Sequence, residues 1–383
     1  GNCGRCGAPA RSPAARLAVA HPRPAPRGSS LPRVASIPST LRCGPGAMAD
    51  PPATPQRTVQ LYSLVNRGGE ARIADQSRSA ISALRVPNDA SLHLVTVFGP
   101  ARCGKSFLCS ALARQDNLFA SASSDSPCTA GVDVAAPCRS VNEAFGAGAN
   151  DSYVCLADCE GQGVENKMYD TMLMTPLVSL SRVLIFCWRG MVNRNTIIDN
   201  LAALNRAAAK IGRGAGGDSR FGHLFIVLRD NMGREQPLME VEAAEANVYR
   251  MLFDERDGAE AREASYLLDS FETVNVFKLP RPHEDIDERV VPRDEVRCVF
   301  RNRIEQLRAA IAAKLYSPPL FGGRPITARL LREVLPKILE CTEKNRTIMP
   351  DNITRQLIRR EVEEAEAAAR ARYDERAGSL AAD

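Results

Sequence analysis

The segment VFGPARCGKSFL (97–108) fits the phosphate-cradling pattern GxxxxGK[ST]: an apolar run, LHLVTVF, leads into it and a helix-forming stretch follows. Glycines at Gly99 and Gly104 allow backbone N–H groups to curl around phosphate oxygens, and the helix N-terminus adds its positive end. In such a loop Gly99, Pro100, Ala101, Arg102, Cys103, Gly104, Lys105, Ser106 and Phe107 lie along the nucleotide. Lys105 reaches the outer phosphates and the Ser106 hydroxyl sits on Mg²⁺. The loop also carries an arginine, Arg102, with no role in the bare pattern.

A second acidic element is needed at the end of a neighbouring strand to hold the metal. YVCLAD ends in Asp158 and is followed by Glu160-Gly161-Gln162-Gly163, where Gly161 lets the backbone approach a γ-phosphate. Between the two lies PCTAGVD (127–133). Nucleotide switches use a threonine whose hydroxyl joins the metal shell, and Thr129 is the candidate, an ordinary loop threonine being the other reading. The run HLFIVL ends in Arg229-Asp230. Asp230 can accept from guanine N1 and N2 hydrogens with Arg229 along the ring, or the pair can be a surface ion pair of small energetic weight. The lysine-containing tetrapeptide Asn-Lys-x-Asp is absent, since NKMY (166–169) lacks its aspartate.

In this order GPARCGKSFL, TAGVD, LADCEGQG and LRD resemble the guanylate-binding protein and atlastin group of dynamin-related large GTPases, over about residues 59–383. LFGGRPITARL (320–330) is similar to the junction where that group passes from its G domain to a helical domain. The resemblance implies GTP as substrate with Mg²⁺ as cofactor, and nucleotide-dependent homodimerisation. It implies that Arg102 acts in cis as an arginine finger, and that Arg229-Asp230 replaces the usual base motif. Catalysis would then rest on Arg102, Lys105, Thr129 and Glu160, and the metal on Ser106, Thr129 and Asp158. The chain departs from the pattern at Pro127, where the group carries a serine that helps position water, leaving Ser126, Glu160 or backbone to do so. Two alternatives follow: a hydrolysis-poor, GTP-dependent interaction switch, and an ATP-using enzyme in which Arg229-Asp230 is structural.

These residues need a scaffold of strands feeding helices. From residue 59 strand-like and helix-like segments alternate, so an α/β doubly wound, mostly parallel sheet is expected. Strands are expected at 59–65, 92–98, 153–157, 183–188, 224–228 and 274–279. Helices are expected at 105–114, 168–180, 196–211 and 238–253, and beyond about residue 318 only helices, at 326–342 and 352–375. The domain reading is a leader at 1–57, a large-GTPase G domain at 58–318, and the start of an α-helical domain at 319–383.

Composition bounds the partners. Of 383 residues 44% are hydrophobic and 25% charged, which suits a folded protein. The net charge is +5, yet residues 1–47 hold seven arginines, no lysine and no acid. Taking that +7 from +5 leaves −2 for residues 48–383, which gives no electrostatic ground for nucleic-acid binding. No run reaches the roughly 18 apolar residues of a membrane helix, so no transmembrane segment is expected, while peripheral association stays open. Twelve cysteines in a chain of this length point to a reducing, cytoplasmic setting rather than a disulfide scaffold. The Arg-rich, acid-free leader is expected to be transit-like, incomplete or artefactual, with the functional protein expected to start near Met48, and its Cys3-x-x-Cys6 has no partner pair at zinc-ligand spacing.

Overall fold

The computed structural model describes residues 55–67, 70–120, 129–146, 151–163, 167–212, 220–231, 238–254, 258–288, 291 and 294–382. Residues 1–54 of the leader, Ser126 and Pro127 lie outside these residues, while Arg57, assigned to the leader, opens β1. Along the chain come β1 (Arg57–Arg67), β2 (Glu70–Asp75), α1 (Ser77–Ala83), β3 (Leu92–Phe98), α2 (Lys105–Ala113), β4 (Val132–Ala136), β5 (Arg139–Ser140) and α3 (Val141–Phe145). Then follow β6 (Tyr153–Cys159), α4 (Lys167–Leu180), β7 (Ser181–Arg189), α5 (Arg194–Ala209), β8 (Phe221–Arg229), α6 (Leu238–Phe253), α7 (Ala259–Ser270) and β9 (Phe271–Lys278). The chain continues through α8 (Cys298–Ala312), the short strands β10 (Leu320–Phe321) and β11 (Arg324–Pro325), α9 (Ala328–Glu343) and α10 (Pro350–Ala382).

The fold is α/β, built on a nine-stranded mixed sheet of order β2-β1-β4-β6-β3-β7-β8-β9, with β5 paired to β6. Five strands, β6-β3-β7-β8-β9, are parallel. The mostly parallel sheet expected is mixed, with β1, β2, β4 and β5 entering antiparallel. For β1 and β2 the reason is local: only two residues separate them, and so short a connection joins only antiparallel strands.

The inner parallel strands are buried on both faces, as strands under helices on each side must be, whereas the edge strand β9 is half-buried. Leu94 and Phe98 of β3, Leu184 and Phe186 of β7, and Leu224, Ile226 and Leu228 of β8 face one core, shared with α4, α5, α7 and α9. The alternate residues Val95, Val97, Val183, Ile185, Phe225 and Val227 face a second core, shared with α2, α3 and α8. Period-two alternation thus divides one sheet between two cores.

Helix α9 is part of the first core rather than of a separate layer. Leu331, Val334, Leu335, Ile338 and Leu339 bury its apolar face there, and Thr327 caps its N-terminus by accepting from the Leu330 amide at 3.1 Å. All of Ala49–Asp383 forms one compact unit. Gly322 and Gly323, both at positive φ, make the turn between β10 and β11.

The strand order reverses around β3, whose parallel neighbours are β6 on one side and β7 on the other. At such a point the connections leave to opposite faces and open a crevice at the C-terminal strand ends. The loop from Gly99, Asp158 at the end of β6, Arg189 at the end of β7, and Arg229-Asp230 at the end of β8 all belong to that edge.

Candidate functional site

The glycine loop between β3 and α2 is held from three sides. Gly99 lies against β7 so closely that a Cβ would stand 2.3 Å from the Cys187 carbonyl oxygen. On the β6 side the loop pairs with the segment after Asp158: the Gln162 amide donates to Gly99 O at 3.0 Å, and the Ala101 amide donates to Gln162 O at 3.4 Å. This pairing explains Gly161, where a Cβ would meet Ala101 Cα at 2.6 Å. From below, Arg229 Nη1 donates to the carbonyls of Cys103 and Gly104 at 3.1 and 3.2 Å. Its guanidinium, buried, lies 5.3 Å from the centroid of the Phe107 ring.

Arg229 therefore works on the loop, whereas the sequence reading set it along the base. Gly104 must be glycine for two reasons: its φ is 81°, and a Cβ would collide with Arg229 Nη1 at 1.5 Å. Pro100 bridges to Gln162, and Arg102 is exposed at the loop crest with a left-handed φ of 62°. A positive φ at a non-glycine residue is uncommon and costs backbone energy.

Immediately after Gly104, α2 begins with Lys105 and Ser106. The Ser106 hydroxyl donates to Asp158 Oδ2 at 2.6 Å, and the Thr129 hydroxyl donates to the same oxygen at 3.1 Å. Three residues read as metal-holding from far apart in the sequence thus meet at one carboxylate. The other oxygen, Asp158 Oδ1, is buried without a hydrogen-bond partner. Burial, opposed by the Ser106 bond and by Lys105, raises the Asp158 carboxyl to about 6. Asp133, opposite Asp158 across β4 and β6, adds negative charge and is itself raised by burial.

Lys105 is buried and donates to Pro100 O at 3.0 Å. Burial alone would lower its pKa, but the nearby Cys103 and Asp158 outweigh it, so the ammonium is held above its ordinary value. Two hydroxyls and a carboxylate with one orphaned oxygen are the hard-oxygen set that suits Mg²⁺, which keeps most of its waters. Among the described residues no cluster of three or more His, Cys, Asp or Glu side chains offers an all-protein metal cage.

Glu160 is committed elsewhere. Its Oε2 accepts the Gly131 amide at 2.8 Å and the Tyr169 hydroxyl at 2.7 Å, while its own amide donates to Gly131 O at 2.7 Å. It latches the Thr129–Gly131 segment to β6 and α4. Asp230, at φ 56°, is largely buried at the next strand end. Its Oδ2 stands 2.7 Å from Arg189 Nε as an ion pair, yet neither carboxylate oxygen receives a well-aligned hydrogen bond.

Sequence reading passed over Arg189, Asp133 and Gln162. Arg189 follows the apolar run SRVLIFCW and sits in register with Arg229, which its position at a strand end hinted at. Asp133 lay inside TAGVD, but its proximity to Asp158 comes from an antiparallel pairing. Gln162 is buried with both amide atoms unpartnered, and a glutamine in a glycine-rich turn gives no such signal. Neither the family models nor the curated proteins compared with this chain gave a match.

Proposed function

We propose that the chain is a nucleotide hydrolase of the phosphate-loop class, and within it a Mg²⁺-dependent GTPase similar to the guanylate-binding protein and atlastin large GTPases. The observation that carries the reading is the convergence of Ser106 and Thr129 on Asp158 beside the glycine loop and Lys105. Magnesium, when bound, would neutralise phosphate charge and order oxygens for in-line attack. The chain's own residues supply the rest. Loop amides and Lys105 would hold the β- and γ-phosphates, Gly161 admits the backbone to the γ-phosphate, and exposed Arg102 is the group to neutralise charge on the transferring phosphoryl. Asp230 would read guanine by giving up its contact with Arg189. Catalysis is positioning and charge stabilisation, not covalent chemistry.

A second reading, a GTP-dependent switch with slow hydrolysis, is favoured by one observation. Glu160 Oε2 already accepts from Gly131 and Tyr169, which ties the side chain to the Thr129–Gly131 segment and leaves only Oε1 to orient an attacking water. Nucleotide-dependent homodimerisation, peripheral membrane contact and a cytoplasmic setting are part of the proposal. Among the described residues no helix is long and apolar enough to cross a membrane.

Two measurements test it. Competition of fluorescent GTP against unlabelled GTP and ATP should give a GTP preference in the wild type that Asp230→Asn abolishes; a preference left intact would remove Asp230 from base reading. Single-turnover phosphate release should fall by about 10³-fold in Arg102→Ala with binding retained. Equal, negligible rates in both proteins would select the switch.

A further inference from the structure

Cys103 and Cys187 form a thiol pair that nucleotide handling leaves unused. Cys103 lies in the glycine loop with 3% exposure, and Cys187 is fully buried in β7. Both are free thiols, their side chains stand within hydrogen-bonding reach of each other, and Cys187 Sγ donates to Cys103 O at 3.3 Å. The pair spans a contact between two elements, the place where Gly99 also presses on the Cys187 carbonyl. Burial works against a Cys103 thiolate, but the hydrogen bond from Cys187 and the positive charges of Lys105 and Arg229 outweigh it and lower the thiol to about 7. Burial drives the thiols of Cys109, Cys159 and Cys187 itself well above the ordinary range, so of these Cys103 is the one to meet an oxidant first.

We propose that Cys103 is a reversible oxidation site, with Cys187 as its resolving thiol and a hydroperoxide as oxidant, and that the disulfide takes the glycine loop out of its nucleotide-receiving shape. The first half stands on the thiol geometry alone; the second rests on the loop being a phosphate cradle. The Cys103 thiolate attacks one peroxide oxygen and breaks the O–O bond, leaving hydroxide and, on Cys103, a sulfenic acid. The Cys187 sulfur then displaces that hydroxyl as water, so two thiols and one H₂O₂ become one disulfide and two waters. An S–S bond of about 2.05 Å draws Cys103 toward β7. It also removes the thiol hydrogen that Cys187 gives to the Cys103 carbonyl, and the amides of Gly104 and Lys105 shift with that carbonyl.

The test treats the reduced full-length chain with hydrogen peroxide, blocks residual thiols with N-ethylmaleimide, and maps tryptic peptides by mass. The expected product joins CGK (103–105) to VLIFCWR (183–189), two hydrogens lighter than the separate peptides and reversed by dithiothreitol. Cys187→Ala should replace it with a dimedone-labelled Cys103. Alkylated Cys103 and Cys187 after peroxide treatment, or dimedone label absent from Cys103 in the variant, overturns the oxidation site. In parallel, the oxidised wild type should bind mant-GTP about tenfold or more weakly, the equivalent of one charge-assisted hydrogen bond, and recover on reduction. Equal binding by crosslinked and reduced chains overturns the loop switch. A reduced chain that binds no mant-GTP yet forms the crosslink overturns the GTPase reading and leaves the thiol site standing.

Discussion

Asp158 shows how one side chain is set against its own charge. It is 1% exposed, and burial raises its carboxyl to about 6 from an ordinary value near 3.8 against the lowering effect of the Ser106 hydroxyl, Lys105 and the Thr129 hydroxyl, while its other oxygen is unpartnered. In the absence of nucleotide and metal, the stability this group contributes is complete below the ordinary value and is lost as pH rises through about 6. Asp158→Asn, which keeps an acceptor for Ser106 and Thr129, should therefore raise the melting midpoint of the nucleotide-free protein at pH 8. The gain should be up to about 3 kcal/mol and should shrink toward pH 5. The same variant should lose Mg²⁺-dependent nucleotide binding. Thermal melts across pH with and without GTP and Mg²⁺ check both; a gain that is flat across pH would refute the assignment.

At the scale of elements, the site depends on three strand ends gripping one loop. Gly161 and Gln162 pair with the loop on the β6 side, β7 packs against Gly99, and Arg229 rises from β8. Gly161→Ala forces its new methyl against Ala101 at 2.6 Å, a backbone contact that no rotamer change relieves. We expect about 1–3 kcal/mol of destabilisation, typical of overpacking, and a far larger loss in mant-GTP affinity than in helix content by circular dichroism. Element α8 contributes a different kind of support. Arg308, 1% exposed in its middle, donates to the Leu112 carbonyl at the end of α2 and the Ala144 carbonyl of α3.

These elements were unevenly legible. The strands at 92–98 and the helix at 238–253 were read with the boundaries observed, because long apolar runs and clear periodicity mark them. The patterns do not show β2, β4, β5, α1, α3, α7 or α8, and the strand pair β10–β11 stands where only helices are expected. β2 (EARIAD) has only a short alternation, Ala71 and Ile73 packing on the core, too brief to mark a strand without its pairing to β1. The residues of the phosphate-loop pattern were legible from spacing alone, while the direction of Arg229 was not: it depends on how far β8 lies beneath the loop.

For the whole molecule, the helical tail is structural before it is anything else. α9 covers the same core as the sheet, so Leu335→Ala should cost about 2–5 kcal/mol in a single cooperative transition rather than melt a tail independently. Urea unfolding followed by tryptophan fluorescence at Trp188 in β7 and by circular dichroism checks this. Two separated transitions would show α9 to be energetically distinct.

By itself the sequence determined the local matters, the alternation of strands and helices and the glycine loop with Lys105 and Ser106, because these follow from nearest-neighbour sterics and periodicity. Tertiary structure decided which distant groups meet. Thr129 and Ser106 share the Asp158 carboxylate, Glu160 is spent on Gly131 and Tyr169, Asp230 faces Arg189, and Cys103 meets Cys187. Each of these depends on strand order and register, set by burying two apolar faces of one sheet at once, and no local pattern in the chain encodes that choice.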